Sequence, residues 1–194
     1  QRGAQRLLAG PGDHEHLSAG GVGNNEALVL RKKPWFICMS AFVSPLATNR
    51  WIQDRQNFVS IFHERAGLII GGGNTKLQPF WSSFTVGNTA QLRHNPGDQA
   101  PDFRPKGDLI HIPTGAQLQP DKAEPSLSLR YGTEECRLAV RPLDEKRLTL
   151  VCEATSRARQ PVEGHVTFLP SPKARIHTAA GKTAVLEESA MAWS

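Results

Sequence analysis

Turn-forming residues cut this chain into about a dozen short apolar runs, and almost nothing in it repeats with the period of a helix. Strand patterns read over 26–31, 35–42, 57–64, 67–70 and 80–86 in the first half. In the second half they read over 108–112, 126–130, 136–140, 147–153, 164–169, 174–178 and 184–187. Between them stand Asn95-Pro96-Gly97-Asp98, Pro105-Lys106-Gly107-Asp108, Pro142-Leu143-Asp144-Glu145 and Ser171-Pro172-Lys173. Proline presets a turn's φ, and glycine, Asn and Asp accept its unusual backbone angles. Only 5–9 and 187–191 carry a turn's worth of helical signal. Short strands at this spacing predict an all-β chain, a large antiparallel two-sheet β-sandwich with little helix. In 57–64, Val59 and Ile61 share one face and Phe58 and Phe62 the other. Apolar residues on both faces predict a central strand covered from both sides.

The totals fit that expectation. Of 194 residues 39% are hydrophobic and 21% charged, so the chain can bury a sizeable core and does not have the composition of disorder. No apolar run approaches the ~20 residues of a membrane-spanning helix. No signal peptide opens the chain, since 1–20 is polar and glycine-rich. The first residue is Gln1, so we expect a piece of a longer protein. On that expectation 1–25 is a linker or the remnant of an upstream domain, and 26–194 is the sandwich, with a seam near 92–105. Cys38, Cys136 and Cys152 are too few and too scattered for a disulfide framework or a zinc site. Cys136 and Cys152 would pair if their strands are neighbours; buried free thiols are the alternative. A net charge of +5 reads either as ordinary solvated charge or as a surface for an anionic partner: nucleic acid, acidic polysaccharide or anionic lipid. The one tight basic cluster is Arg31-Lys32-Lys33.

Chemistry-bearing residues concentrate in 49–86, where Trp51, Asp54, Arg55, Asn57, His63, Asn74, Lys76 and Trp81 lie between two apolar strand patterns. Polar and aromatic groups on loops held by rigid strands are how many binding surfaces are made. Trp51 and Trp81 offer flat faces for a sugar ring. Asp54, Arg55 and Asn57 can bond hydroxyls or a carboxylate, or else form a polar network that fixes a corner of the fold. Gly71-Gly72-Gly73-Asn74-Thr75-Lys76 is no phosphate loop. Thr75 stands where a Walker loop needs glycine, Leu77 follows the lysine, and Pro79 forbids the following helix. The glycines instead allow a sharp bend or a close approach, which would present Asn74 and Lys76. Alternation places His63 with Val59 and Ile61, as a packed or capping histidine or as a general base. His14-Glu15-His16 would share a face if extended, and His94 and His111 lie in or near loops. No cofactor is expected; a divalent metal stays open as an alternative, but none of these histidines has the diagnostic spacing of a metal site. No nucleophile motif marks a triad.

Within this run, Asp54-Arg55-Gln56-Asn57-Phe58-Val59-Ser60-Ile61-Phe62, followed by Gly67-Leu68-Ile69-Ile70-Gly71-Gly72-Gly73, resembles the β-sandwich part of heparinase II/III-like polysaccharide lyases. There an Asp precedes a Ser/Asn-Phe strand, a short turn follows, and the next strand ends in a glycine-containing segment. The resemblance implies an upstream helical domain, an α/α toroid, and β-elimination of uronic-acid-containing polysaccharide where the two domains meet. It also implies a periplasmic or extracellular, secreted location. Asp54 would match an acidic position that helps bind a structural metal. The histidines expected around it are replaced by Arg50, Trp51 and Gln53, and later by Ser82, Ser83 and Phe84.

The expected function is therefore that of a sandwich domain in a lyase-like protein that acts on or binds acidic polysaccharide. For elimination, Arg55, Asn74 or Lys76 would neutralise the uronate carboxylate, and His63 or Tyr131 would serve as base and acid. A tyrosine base would need a depressed pKa. The alternative is a non-catalytic carbohydrate-binding or structural sandwich. Nucleic acid is a third and weaker reading, because no aromatics are interleaved regularly with the basic residues. No membrane partner is expected.

Overall fold

Residues 16–20, 26–43, 58–71, 83–88, 109–155, 160–169, 171 and 173–185 are described by a computed structural model. Their structure is all-β, with thirteen strands and no helix among them. No helix there is long and apolar enough to cross a membrane. Five antiparallel strands form the first sheet in sequential order: β1 (His16–Gly20), β2 (Ala27–Lys32), β3 (Trp35–Ser40), β4 (Val59–His63) and β5 (Gly67–Ile70). The second is a meander of β7 (Gly115–Gln119), β8 (Ser126–Tyr131), β9 (Glu134–Pro142) and β10 (Leu148–Thr155). Two short pairs complete the set: β6 (Ser83–Val86) with β11 (Val162–His165), and β12 (Arg175–His177) with β13 (Thr183–Val185).

Alternation drives the assembly. Leu28 and Leu30 of β2, Trp35, Ile37 and Met39 of β3, and Val59 and Ile61 of β4 all turn one way. Leu127, Leu129 and Tyr131 of β8 meet them, together with Cys136, Leu138 and Val140 of β9, in one continuous core. Each such side chain contributes roughly 1.5–3 kcal/mol on leaving water. The opposite faces differ in character. On the first sheet Phe36 and Phe62 pack edge to face with ring centroids 6.0 Å apart. On the second, Glu124 ties Arg137 (2.9 Å) to Arg141 (2.6 Å from Nε), and Arg137 reaches on to Glu153 at 3.1 Å.

Most of the expected strands are present, with ends shifted by a few residues. The pattern at 108–112 gives only an isolated bridge, Ile110 to Val86. Two strands were not expected. Residues 16–20, assigned to an N-terminal linker, form β1 against β2. Residues 115–119, which lie between the expected strands at 108–112 and 126–130, form β7 against β8. The anticipated seam at 92–105 lies outside the described residues.

Sheet edges are covered locally. The Glu26 carboxylate accepts the Leu118 N–H of β7 at 3.3 Å, and β5 is extended outward by Gly71 N–H to Thr167 O and Leu169 N–H to Ile69 O. Cys136 and Cys152 do lie on neighbouring strands, but Cys136 stands opposite Ala154 and Cys152 opposite Leu138. That diagonal offset, about 7 Å, is too long for a disulfide, and both thiols are free. Burial, with the Glu134 charge second, pushes the Cys136 thiol up to about 12, so it packs as a small hydrophobe.

The β8–β9 hairpin turns on Gly132-Thr133, with Gly132 at φ 64°. A Cβ on Gly132 would stand 3.2 Å from Ile110 Cδ1. Gly132→Ala is expected to lower stability by about 1–2 kcal/mol in urea unfolding, since an L residue pays for the left-handed region. A second expectation concerns acid. Hydrogen bonds from Arg137 and then Arg141 hold the Glu124 carboxyl below the usual carboxylate range. A group depressed in the fold contributes above its unfolded value and loses that contribution as pH falls through its folded value. Thermal midpoints should therefore drop below about pH 4, and the drop should be smaller in Glu124→Gln.

Candidate functional site

Trp51, Asp54, Arg55, Asn57, Asn74, Lys76 and Trp81 lie outside the described residues, as do His14 and His94. His63 and Tyr131 are described, and the structure separates them. His63 closes β4 beside the β9–β10 turn, whereas Tyr131 pairs with Glu134 at the opposite end of β9. The 9-residue length of β9 puts roughly 25 Å between them at ~3.3 Å per residue. They cannot act as base and acid on one glycosidic bond.

Tyr131 belongs to the core. Its side chain is fully buried, edge to face with Phe84 at 6.4 Å, and burial raises its pKa above the ordinary phenol value. The nearby Phe84 peptide counters a small part of that shift, yet no described group meets the hydroxyl at hydrogen-bonding geometry. A proton acceptor needs access and a depressed pKa; Tyr131 has neither.

His63 is built into a turn. Its Nδ1 accepts the backbone N–H groups of Arg65 (3.2 Å) and Ala66 (3.3 Å). Its Nε2 lies 3.1 Å from the Glu145 carbonyl, which can only accept, so the proton sits on Nε2. The ring packs edge to face on Trp35 with centroids 4.8 Å apart and planes at 73°. Both nitrogens are thus engaged with backbone, which makes His63 the capping histidine of the two alternatives.

These contacts gather three hairpin turns at one end of the sandwich. The Trp35 indole N–H donates to the Asp144 carbonyl at 2.7 Å, and Glu64 N–H donates to the Pro34 carbonyl at 2.8 Å. Asp144 shapes its own turn by accepting Lys146 N–H and Arg147 N–H, each at 2.8 Å, and the Arg147 Nε–H at 2.6 Å. Those bonds, the Lys146 N–H foremost, hold its carboxyl below the usual range. The result is a basic end. Arg31, Lys32 and Lys33 come from the first hairpin, Arg65 from the second, and Lys146 and Arg147 from the third. The carboxylates interspersed are Glu64, Asp144 and Glu145, and Asp144 is already paired with Arg147.

Other polar groups hold the fold together. Thr85 Oγ1 and His165 Nε2 lie 2.9 Å apart across β6 and β11, but Thr85 is 1% exposed. The pair ties two strands and presents no nucleophile to solvent. Among the described residues no group of three or more His, Cys, Asp or Glu could hold a metal ion.

No protein-family model, curated protein or solved structure matches this chain. The likeness to heparinase II/III-like lyases therefore stands on its quoted residues alone.

His63→Ala is expected to cost about 1–2 kcal/mol in denaturant unfolding, through the lost turn bonds and the lost ring contact. His63→Gln, which keeps an acceptor and a donor, should recover part of it. Equal stability of all three chains would remove the capping role.

Proposed function

We propose that this sandwich binds acidic polysaccharide at its basic end and performs no elimination through the described residues. The observation that carries the reading is the convergence of three turns, distant in sequence, which brings Arg65 and Lys146 to the same end as Arg31-Lys32-Lys33, while Arg147 is held by Asp144. A surface with a net excess of positive charge raises the local concentration of a polyanion and speeds its capture. Binding is favoured over catalysis because Tyr131 is buried and distant and because both His63 nitrogens are taken. A lyase-like protein can use such a domain to hold its polymer while another domain cuts it.

The test is affinity of the full chain for hyaluronan and polygalacturonate, with dextran as the neutral control and NaCl varied. Both acidic polymers should bind, dextran should not, and affinity should fall as salt rises. The paired substitution Arg65→Glu and Lys146→Glu should weaken binding about tenfold, or about 1.4 kcal/mol. No unsaturated product should appear in ultraviolet absorbance. Equal binding of dextran, or no effect of the charge reversal, would defeat the proposal, and tighter binding of duplex DNA would move the partner to nucleic acid.

A further inference from the structure

A second feature lies on the outer face of the four-stranded sheet, away from the basic end. Thr114 anchors the start of β7 by donating both its N–H (2.6 Å) and its hydroxyl (3.0 Å) to the Arg130 carbonyl. The register then sets Gly115, Arg130 and Glu135 in one row across β7, β8 and β9. Gln117, Ser128 and Arg137 form the next row. Gly115, Arg130 and Glu135 of the first row and Gln117 and Ser128 of the second floor a polar cleft of about 420 Å³. That volume falls within the ~300–1,000 Å³ typical of ligand pockets and suits one or two sugar rings.

Two details give the cleft its chemistry. Gly115 has no side chain, and a Cβ there would come 3.3 Å from Arg130 Nη2, so the guanidinium lies across bare backbone. Arg137 and Arg141, on the same face, are tied to Glu124. Arg130 has no ion pair among the described residues, so its fork is open to an incoming carboxylate. Glu135, across the strand from it, supplies acceptors and would repel a second anion. The complementary ligand therefore carries a carboxylate at one end and vicinal hydroxyls at the other.

We propose that this cleft is a subsite for a single hexuronate unit, with Arg130 on its carboxylate and Gln117, Ser128 and Glu135 on its hydroxyls. The assignment rests on the acidic-polysaccharide reading and adds the sugar class and the residues that select it. A bidentate carboxylate contact discriminates where general surface charge does not. Gly115 acts as a positioning residue, because even a Cβ there would stand 3.3 Å from Arg130 Nη2 and a larger side chain would compete for the space the guanidinium occupies.

The experiment is an amide-resolved NMR titration of the full chain with D-glucuronate, D-glucose, glycine and acetate. Glucuronate should shift the amides of Gly115, Gln117, Ser128 and Arg130 saturably. Glucose and acetate should bind at least about tenfold more weakly, a gap of about 1.4 kcal/mol. Arg130→Gln should abolish saturation, Arg130→Lys should weaken it while keeping the charge, and Gly115→Val should weaken it with the charge untouched. The proposal is overturned if glucuronate leaves these amides unmoved, if glucose or glycine binds as well, or if Arg130→Gln binds like the parent chain. The reversal of Arg65 and Lys146 separates the two readings. Polymer binding lost with the glucuronate shifts intact leaves the subsite standing and confirms it as independent. Polymer binding kept in a chain whose cleft does not respond to glucuronate overturns the subsite alone.

Discussion

The hydrogen bond from the Trp35 indole to the Asp144 carbonyl joins the two sheets where their hairpins end, and much of the molecule's chemistry is arranged around it. A buried indole N–H without an acceptor costs more than an ordinary hydrogen bond gains. The β9–β10 turn must therefore keep its carbonyl aimed inward, and the Asp144 carboxylate keeps it so by holding the Lys146 and Arg147 amides. His63 then fills the space beside the indole and satisfies the neighbouring carbonyl and the facing turn. A polar residue at the end of a core row thus locks a corner through backbone groups alone.

That corner explains why the charge lies where it does. Turns cannot be buried without stranding peptide groups, so they end the sandwich and carry solvated side chains. Since the first sheet is a meander and β9 and β10 are consecutive, three hairpins come out at the same end. Their lysines and arginines share a surface because of topology and with little direct contact among them. The face of the four-stranded sheet works differently. There, most guanidiniums are neutralised by Glu124 and Glu153, and the open one lies beside a glycine.

Much of the strand pattern was legible because alternation survives in short stretches. Gly67-Leu68-Ile69-Ile70 marks its strand to both ends, and alternation puts Val59, Ile61 and His63 on the face they occupy. The strand at 115–119 escaped because Gly, Ala and Gln have low β propensity and Pro113, Pro120 and Pro125 flank it. The strand at 16–20 escaped because Ser, Ala and Gly make its pattern faint. Register and cross-sheet contacts decide the rest, and spacing along the chain does not encode them. Trp35 and Asp144 are 109 positions apart, and His63 and Glu145 are 82 apart. The basic end could not have been seen as one surface. Tyr131 shows the reverse error: a reactive residue type in a strand pattern is usually core, and alternation with Leu127 and Leu129 already put it there.

The Asp144 turn keeps its shape through its own carboxylate and amides, and among the described residues the cationic side chains of Lys146 and, across the corner, Arg65 take no part in those bonds. Sites with no shared partner change independently of one another. Sequence drift can therefore recolour this end, even invert its sign, while Trp35, His63 and the core beneath stay as they are. On the proposed binding role, one scaffold of this kind would serve a series of polymers of different charge, each chosen by residues that the fold leaves free to vary.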